Sequence, residues 1–185
     1  MVPDLTKAEI ADDLLNGVDL HGAILSEAKF SNTDLMAANL EGACICEAWF
    51  LQCDFSRASL DRVEFITSKV GLTRFTGASL KGSILHMTSF SDVDFTNATL
   101  AGADLSSSVL VEANLGGAKL DRAILGHTVL ANCDLSGTEG LESIEHTGPS
   151  SLGIDTLFKT RGGIPEVFLR KIGAPEAFIR FAASL

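Results

Sequence analysis

Every residue whose number divides by five, from 20 to 135, is large and apolar. The series opens Leu20, Leu25, Phe30, Leu35, Leu40, Ile45, Phe50 and ends Leu120, Leu125, Leu130, Leu135: 24 consecutive positions without a miss, stopped at Gly140. Two places before each lies a small or compact residue, as at Ala23, Ala28, Thr33, Ala38, Ala43, Ala48 and Cys53, and so on to Cys133. Five is not a helical period, and it cannot continue as a flat strand. Two inward residues separated by one outward residue are locally strand-like, so the remaining two must turn a corner. Glycine recurs at that corner (Gly22, Gly42, Gly77, Gly82, Gly102, Gly117, Gly137), as a positive φ or a tight backbone favours. The chain therefore winds as a solenoid with five residues on each side.

Phenylalanine sets the number of sides. Phe30, Phe50 and Phe90 differ by multiples of 20, as do Phe55, Phe75 and Phe95, while Leu20, Leu40, Leu60, Leu80, Leu100 and Leu120 form a pure leucine column. A four-sided coil of 20 residues stacks like on like. About six such coils, spaced as paired strands are, make a rod roughly 29 Å long. Each coil pairs its backbone with the coils above and below, and only the two ends are left as hazards. The fold class is an all-β solenoid, a quadrilateral β-helix over residues 18–138.

Segments such as Ala38-Asn39-Leu40-Glu41-Gly42, Ala103-Asp104-Leu105-Ser106-Ser107 and Ala113-Asn114-Leu115-Gly116-Gly117 resemble the pentapeptide-repeat family, whose signature is Ala, Asp or Asn, Leu and two free residues. The resemblance implies a right-handed helix and says little about function, because the family is diverse. Residues 1–17 read as a capping helix: Thr6 and Glu9 form a capping box, Leu5 and Ile10 a hydrophobic staple, and Gly17 a stop. Residues 139–163 carry turn signals, including Gly148-Pro149. Two related segments follow, Pro165 to Arg170 and Pro175 to Arg180, each with Pro and then an acid at a helix start. Residues 139–185 thus form a linker and a helical hairpin. Its residues Phe168, Ile172, Phe178 and Phe181 offer a C-terminal interface that can cap the rod or join two copies as a homodimer. The stretch Gly153 to Leu157 with Ile164 to Arg170 is also similar to the linker of bacterial proteins in which pentapeptide repeats precede a Toll/interleukin-1-receptor-like (TIR) domain. That resemblance implies a rod that positions a signalling domain absent from these 185 residues.

Composition narrows the function classes. The net charge is −10, from 24 acids against 14 bases, which is unfavourable for direct binding to nucleic acid or to an anionic membrane. No apolar run reaches the length of a membrane span. The start Met-Val-Pro-Asp-Leu has no secretory pattern, and four cysteines without one point to a reducing, cytoplasmic location. Cys53 and Cys133 stand at inward small positions and read as core. Cys44 and Cys46 flank inward Ile45, a spacing too short for common zinc pairs, so neither a metal nor another cofactor is expected. His21, His86 and His127 fall on different coils or sides, and His146 lies beyond the repeats. No nucleophilic triad or phosphate-binding glycine loop is legible, and a filled shaft has no concave pocket, so no enzyme activity is expected.

Outward positions carry whatever specificity there is. Asp34, Asp54, Arg74, Asp94, Asn114 and Asp134 make an acidic ladder with one basic rung, and Asp or Asn there also supports a turn. On the side centred on Phe30, Trp49, Leu51, Leu72, Val109, Val111 and Val129 point outward, with Ile24, Ile84 and Ile124 on the preceding side. Such a cluster suggests a lateral contact surface anchored by Trp49, or a surface covered by the C-terminal tail. The reading that fits best is a non-catalytic protein-interaction scaffold whose partner the sequence does not name. The alternative is an acidic mimic of duplex DNA directed at DNA gyrase, as in some pentapeptide-repeat proteins. Against it, residues 18–138 carry 14 acids and 8 bases, an excess of only six.

Overall fold

A computed structural model describes residues 2–160 and 163–185. Ten short strands follow one another along the chain: β1 (Glu9–Ala11), β2 (Lys29–Ser31), β3 (Trp49–Leu51), β4 (Lys69–Gly71), β5 (Ser89–Ser91), β6 (Val109–Val111), β7 (Ile124–Leu125), β8 (Val129–Ala131), β9 (Glu145–His146) and β10 (Ser151–Leu152). Eight of them stack as one parallel sheet in the order β1-β2-β3-β4-β5-β6-β8-β10, and β7 pairs with β9 on a neighbouring side. The register from β1 to β8 is a constant 20 residues, as in Ile10↔Phe30, Phe30↔Phe50 and Leu110↔Leu130. Single bridges keep the same step on the other three sides, for example Asp34↔Asp54, Asn39↔Ser59 and Cys44↔Glu64. The result is a right-handed four-sided β-helix of about seven turns, ending in a few helices.

All the apolar residues at multiples of five from Leu20 to Leu135 are buried. The phenylalanine columns stack face to face: Phe30 on Phe50 at 4.9 Å, Phe55 on Phe75 at 5.0 Å, and Phe75 on Phe95 at 5.1 Å. Hydroxyls at the small inward positions donate to a carbonyl of the preceding coil, Ser68 to Ile45 at 2.6 Å and Thr128 to Leu105 at 2.9 Å. Ser83 is buried at the equivalent place, but its hydroxyl has no partner. Every corner from Lys7 to Gly137 lies in the left-handed region, with φ from 49° at Asn32 to 67° at Gly42. Most of these corners are not glycine. Each residue with a Cβ pays roughly 1–2 kcal/mol for that conformation, which the coil-to-coil pairing offsets.

The N-terminal segment is not a capping helix. It is one more coil: Leu5, Ile10 and Leu15 continue the five-residue period, and β1 pairs with β2. The Leu5 amide donates to the Ile24 carbonyl at 2.8 Å and the Leu15 amide to Asp34 at 2.7 Å. Thr6 turns its hydroxyl to Asp4, and Glu9 pairs with Lys29 at 2.8 Å, so the two halves of the expected capping box are engaged elsewhere. A helix this short is marginal in water, whereas a coil adds pairing along its whole length. Its outer edge carries Asp4, Glu9, Asp12 and Asp13, with Asp13 at the register position of inward Thr33. Charge at a free edge opposes edge-to-edge stacking.

The other end is closed. Coiling runs past residue 138 through β9 and β10, whose registers slip to 21 and 22 residues as loops and a 3₁₀ turn, Leu141–Ser143, take up the excess. The expected linker also contains α1 (Ile154–Thr160), which sequence periodicity did not reveal. Thr156 and Thr160, one helical turn apart, accept hydrogen bonds from the Cys133 and Leu135 amides at 3.1 and 3.2 Å. Thr160 stands in for the carbonyl a further coil would supply, as Asp134 does for Leu115, and Thr156 repeats the hydroxyl contact that Thr73 makes with the Cys53 amide. The expected hairpin is present as α2 (Glu166–Lys171) and α3 (Glu176–Ala182). Phe168, Leu169, Ile172 and Ile179 plug the apolar end, leaving a void of only about 10 Å³ beneath Phe168. His146 lies in this cap, 5.8 Å from the Phe168 ring, with neither ring nitrogen hydrogen-bonded; burial, and then the charge of Lys171, lower its pKa.

Truncating Phe75 to Ala removes the centre of a three-ring stack and is expected to cost about 3–5 kcal/mol in denaturant unfolding. Ser83→Ala should instead stabilise the rod by about 1 kcal/mol, because it removes an unpaired buried hydroxyl. Because His146 is held neutral in the fold, its contribution is present above the ordinary value of 6.5 and is lost as pH falls below it. Thermal melting between about pH 7.5 and 5.5 should therefore show a loss of stability that His146→Phe abolishes.

Candidate functional site

The eight-stranded sheet presents its outward residues on one face of paired strands. On β3, Trp49 and Leu51 straddle buried Phe50 and are 53% and 48% exposed; Leu72, at the corner after β4, is 51% exposed. The Lys69 ammonium sits 4.5 Å from the Trp49 ring centroid, an exposed cation–π contact that holds the indole. Leu51 lies against Gly71, where an added Cβ would approach its Cδ1 to 3.5 Å. Val109 and Val111 on β6 and Val129 on β8 form a second group; Val109 is exposed and the other two are half-buried. Ser89 and Ser91 on β5 lie between the groups, so the expected single lateral surface is two patches. Ile24 and Ile84 are partly exposed on the preceding side, and Ile124 is half-buried.

The C-terminal tail does not fold back over Trp49. Its helices pack on the last coil, which changes the reading of the expected C-terminal interface. Phe168 and Ile172 belong to the core plug and Phe178 is half-buried; only Phe181 is exposed, edge-on to exposed Phe158 at 5.9 Å.

The acidic ladder has a structural duty on every rung. Side-chain oxygens of Asp34, Asp54, Asp94, Asn114 and Asp134 each accept the amide two residues ahead, at 2.9–3.0 Å. This is the turn role that Asp and Asn fill most readily. Arg74 donates to Asp54 from Nε at 3.0 Å and from a terminal nitrogen at 2.7 Å. Burial alone would raise the pKa of Asp54, but hydrogen bonds from Ser56 and Arg74 outweigh it and leave the carboxyl below its ordinary value.

Cys44 and Cys46 come together with a residue that linear spacing does not reveal. Their sulfurs are 3.3 Å apart, and the Glu64 carboxylate from the next coil completes a group whose ligand atoms all lie within 4.8 Å. Burial pushes the Cys46 thiol up to about 11, with the Cys44 hydrogen bond and the Glu64 charge acting in the same direction. Cys53 and Cys133 are core residues, and burial raises both, Cys133 to about 11. His21 and His127 are exposed, and His86 contacts the Ser106 hydroxyl at 2.9 Å. Among the described residues, no helix is long and apolar enough to cross a membrane.

These features define a repeat rod: a right-handed quadrilateral β-helix, packed along its shaft and plugged at one end. The pentapeptide-repeat family model matches residues 14–50, 73–110 and 108–139 in eight copies, more than half of the chain, and the chain belongs to that family. It has no match among curated proteins. Among solved structures it is similar to a pentapeptide repeat protein from the Arabidopsis thaliana thylakoid lumen, at 32% identity over 47% of this chain and 61% of that one, with a TM-score of 0.46. It is also similar to QnrB1, a plasmid-mediated fluoroquinolone resistance protein, at 18% identity over 83% of this chain and 94% of that one, with a TM-score of 0.51. A third is HetL, a protein of Nostoc involved in heterocyst differentiation regulation, at 20% identity, 83% and 86% coverage and a TM-score of 0.31. The chain spans 61% of the length of the Arabidopsis protein. The likeness to QnrB1 is one of fold.

Proposed function

We propose that this chain is a non-catalytic protein-binding rod whose recognition surface is the outer face of the long sheet around Trp49, Leu51 and Leu72. The observation that carries the reading is the exposure of a tryptophan and two leucines on consecutive coils of a face whose backbone is fully paired. Exposed apolar clusters mark contact sites, and a Trp at the centre is a common anchor. Rigid presentation lowers the entropy cost of binding, since no loop has to be ordered. The partner is a protein that offers an apolar ridge, and the cytoplasm is the proposed location. A TIR-like signalling domain joined to the helical end is one cargo such a rod would hold in place. Self-association through the C-terminal end would use Phe158 and Phe181, the aromatic pair that the plug leaves in water.

Duplex mimicry directed at gyrase is the weaker reading. The net charge of −10 favours it, but the ladder carboxylates serve their own turns and Arg74 neutralises the most buried of them.

Trp49→Asp and Leu72→Asn test the proposal without harming the fold, since both side chains face outward and Asn tolerates the φ of 50° at position 72. Affinity capture with the intact rod should recover a partner that each variant loses by at least about tenfold in affinity. Retention of the partner by both variants would sink the surface assignment. Gyrase supercoiling should proceed unchanged at micromolar rod, and inhibition there would restore mimicry.

A further inference from the structure

The cluster of Cys44, Cys46 and Glu64 lies outside the sheet face just described, on the side that precedes it. Ile45 points into the core and is fully buried, so the residues on either side of it face outward. The turn of the chain there brings their sulfurs to 3.3 Å. Glu64 stands one coil further on, in bridge register with Cys44, and the three ligand atoms all lie within 4.8 Å of one another. The Ser26 hydroxyl, one coil back, is 3.6 Å from the Cys44 sulfur. Among the described residues Glu64 takes part in no ion pair, so its charge is not neutralised by a basic side chain.

We propose that Cys44, Cys46 and Glu64 bind one thiophilic divalent ion, of the zinc or cadmium type. Two sulfurs and one carboxylate oxygen are a soft donor set, unlike the all-oxygen shells that calcium and magnesium take. Zinc–sulfur bonds near 2.3 Å and zinc–oxygen bonds near 2.0–2.2 Å put ligand atoms roughly 3.5–3.8 Å apart around a tetrahedral ion. The two sulfurs therefore need to part by about half an ångström, and the exposed Glu64 side chain has the freedom to close on them. The fourth position is left to water or to Ser26. Binding converts both thiols to thiolates and releases their two protons to solvent. The rungs Ile24, Cys44 and Glu64 are tied by backbone pairing, so the ligand spacing is set by the rod and not by a mobile loop.

The test is a titration of the reduced, metal-free full chain with cadmium, followed by the ultraviolet thiolate-to-metal band, with zinc as competitor. One ion per chain is expected, and addition of zinc should remove the band. Cys44→Ser and Cys46→Ser should each abolish tight binding while melting like the parent without metal. Glu64→Gln should weaken it by more than the roughly tenfold typical of losing an outer ligand partner. A Cys53→Ala, Cys133→Ala double variant should bind as the parent does. The proposal is overturned if the band is absent, if it survives either serine variant, or if one ion requires two chains. It is also overturned if alkylation at lysis finds Cys44 and Cys46 joined as a disulfide, which would make the pair a redox element.

Discussion

Parallel pairing of each residue with the one 20 places later is the constraint from which the molecule follows. It holds on all four sides, from Asp4↔Ile24 at one end to Lys119↔Glu139 near the other. Once it is imposed, each side chain lies directly above its own register partner. Phenylalanines then stack ring on ring, inward alanines leave room for the large residues, and buried hydroxyls reach the carbonyl of the coil below. The same pairing sustains a backbone that would otherwise be unfavourable. A left-handed corner every five residues is costly for Lys7, Arg57, Thr67 or Leu72 in isolation, and it persists because hydrogen bonds to the neighbouring coils fix it.

A stack of this kind has a problem only at its ends, and the two ends are treated differently. At the C-terminal end, hydroxyls of α1 satisfy the last inward amides, while Lys159 and Lys171 donate to the carbonyls of Asn132, Glu142 and Ile144. Apolar residues of α2 and α3 then cover the leucines. At the N-terminal end of the described coils the edge carries carboxylates. Among the described residues, one end of the stack is closed by satisfied valences and the other carries charge along its edge.

The shaft between them separates structural polarity from recognition. All four aspartates of the ladder are engaged in turns, which weakens the step from net charge to duplex mimicry. Outward features not engaged in turns include the Trp49 patch, the smaller valine patch, the Phe158–Phe181 pair and the sulfur–carboxylate cluster. The two lateral patches and the sulfur–carboxylate cluster sit on coils paired on both sides, whereas Phe158 and Phe181 lie on the helices of the cap.

The sequence by itself determined the coil, its four sides and nearly every core residue, because burial repeats with the winding and so marks the chain every five residues. The helical hairpin was also legible, since Pro-Glu starts act locally. The tertiary structure decided what depends on partners distant in the chain. Thr6 and Glu9 have the spacing of a capping box, yet pairing with the next coil outweighs it and makes residues 2–17 a coil. Phe168 and Ile172 look like an interface in one dimension and become a plug when the last coil offers an apolar end to cover. The division of the lateral surface by Ser89 and Ser91, and the arrival of Glu64 beside Cys44 and Cys46, follow from a 20-residue register that places side chains from separate coils side by side.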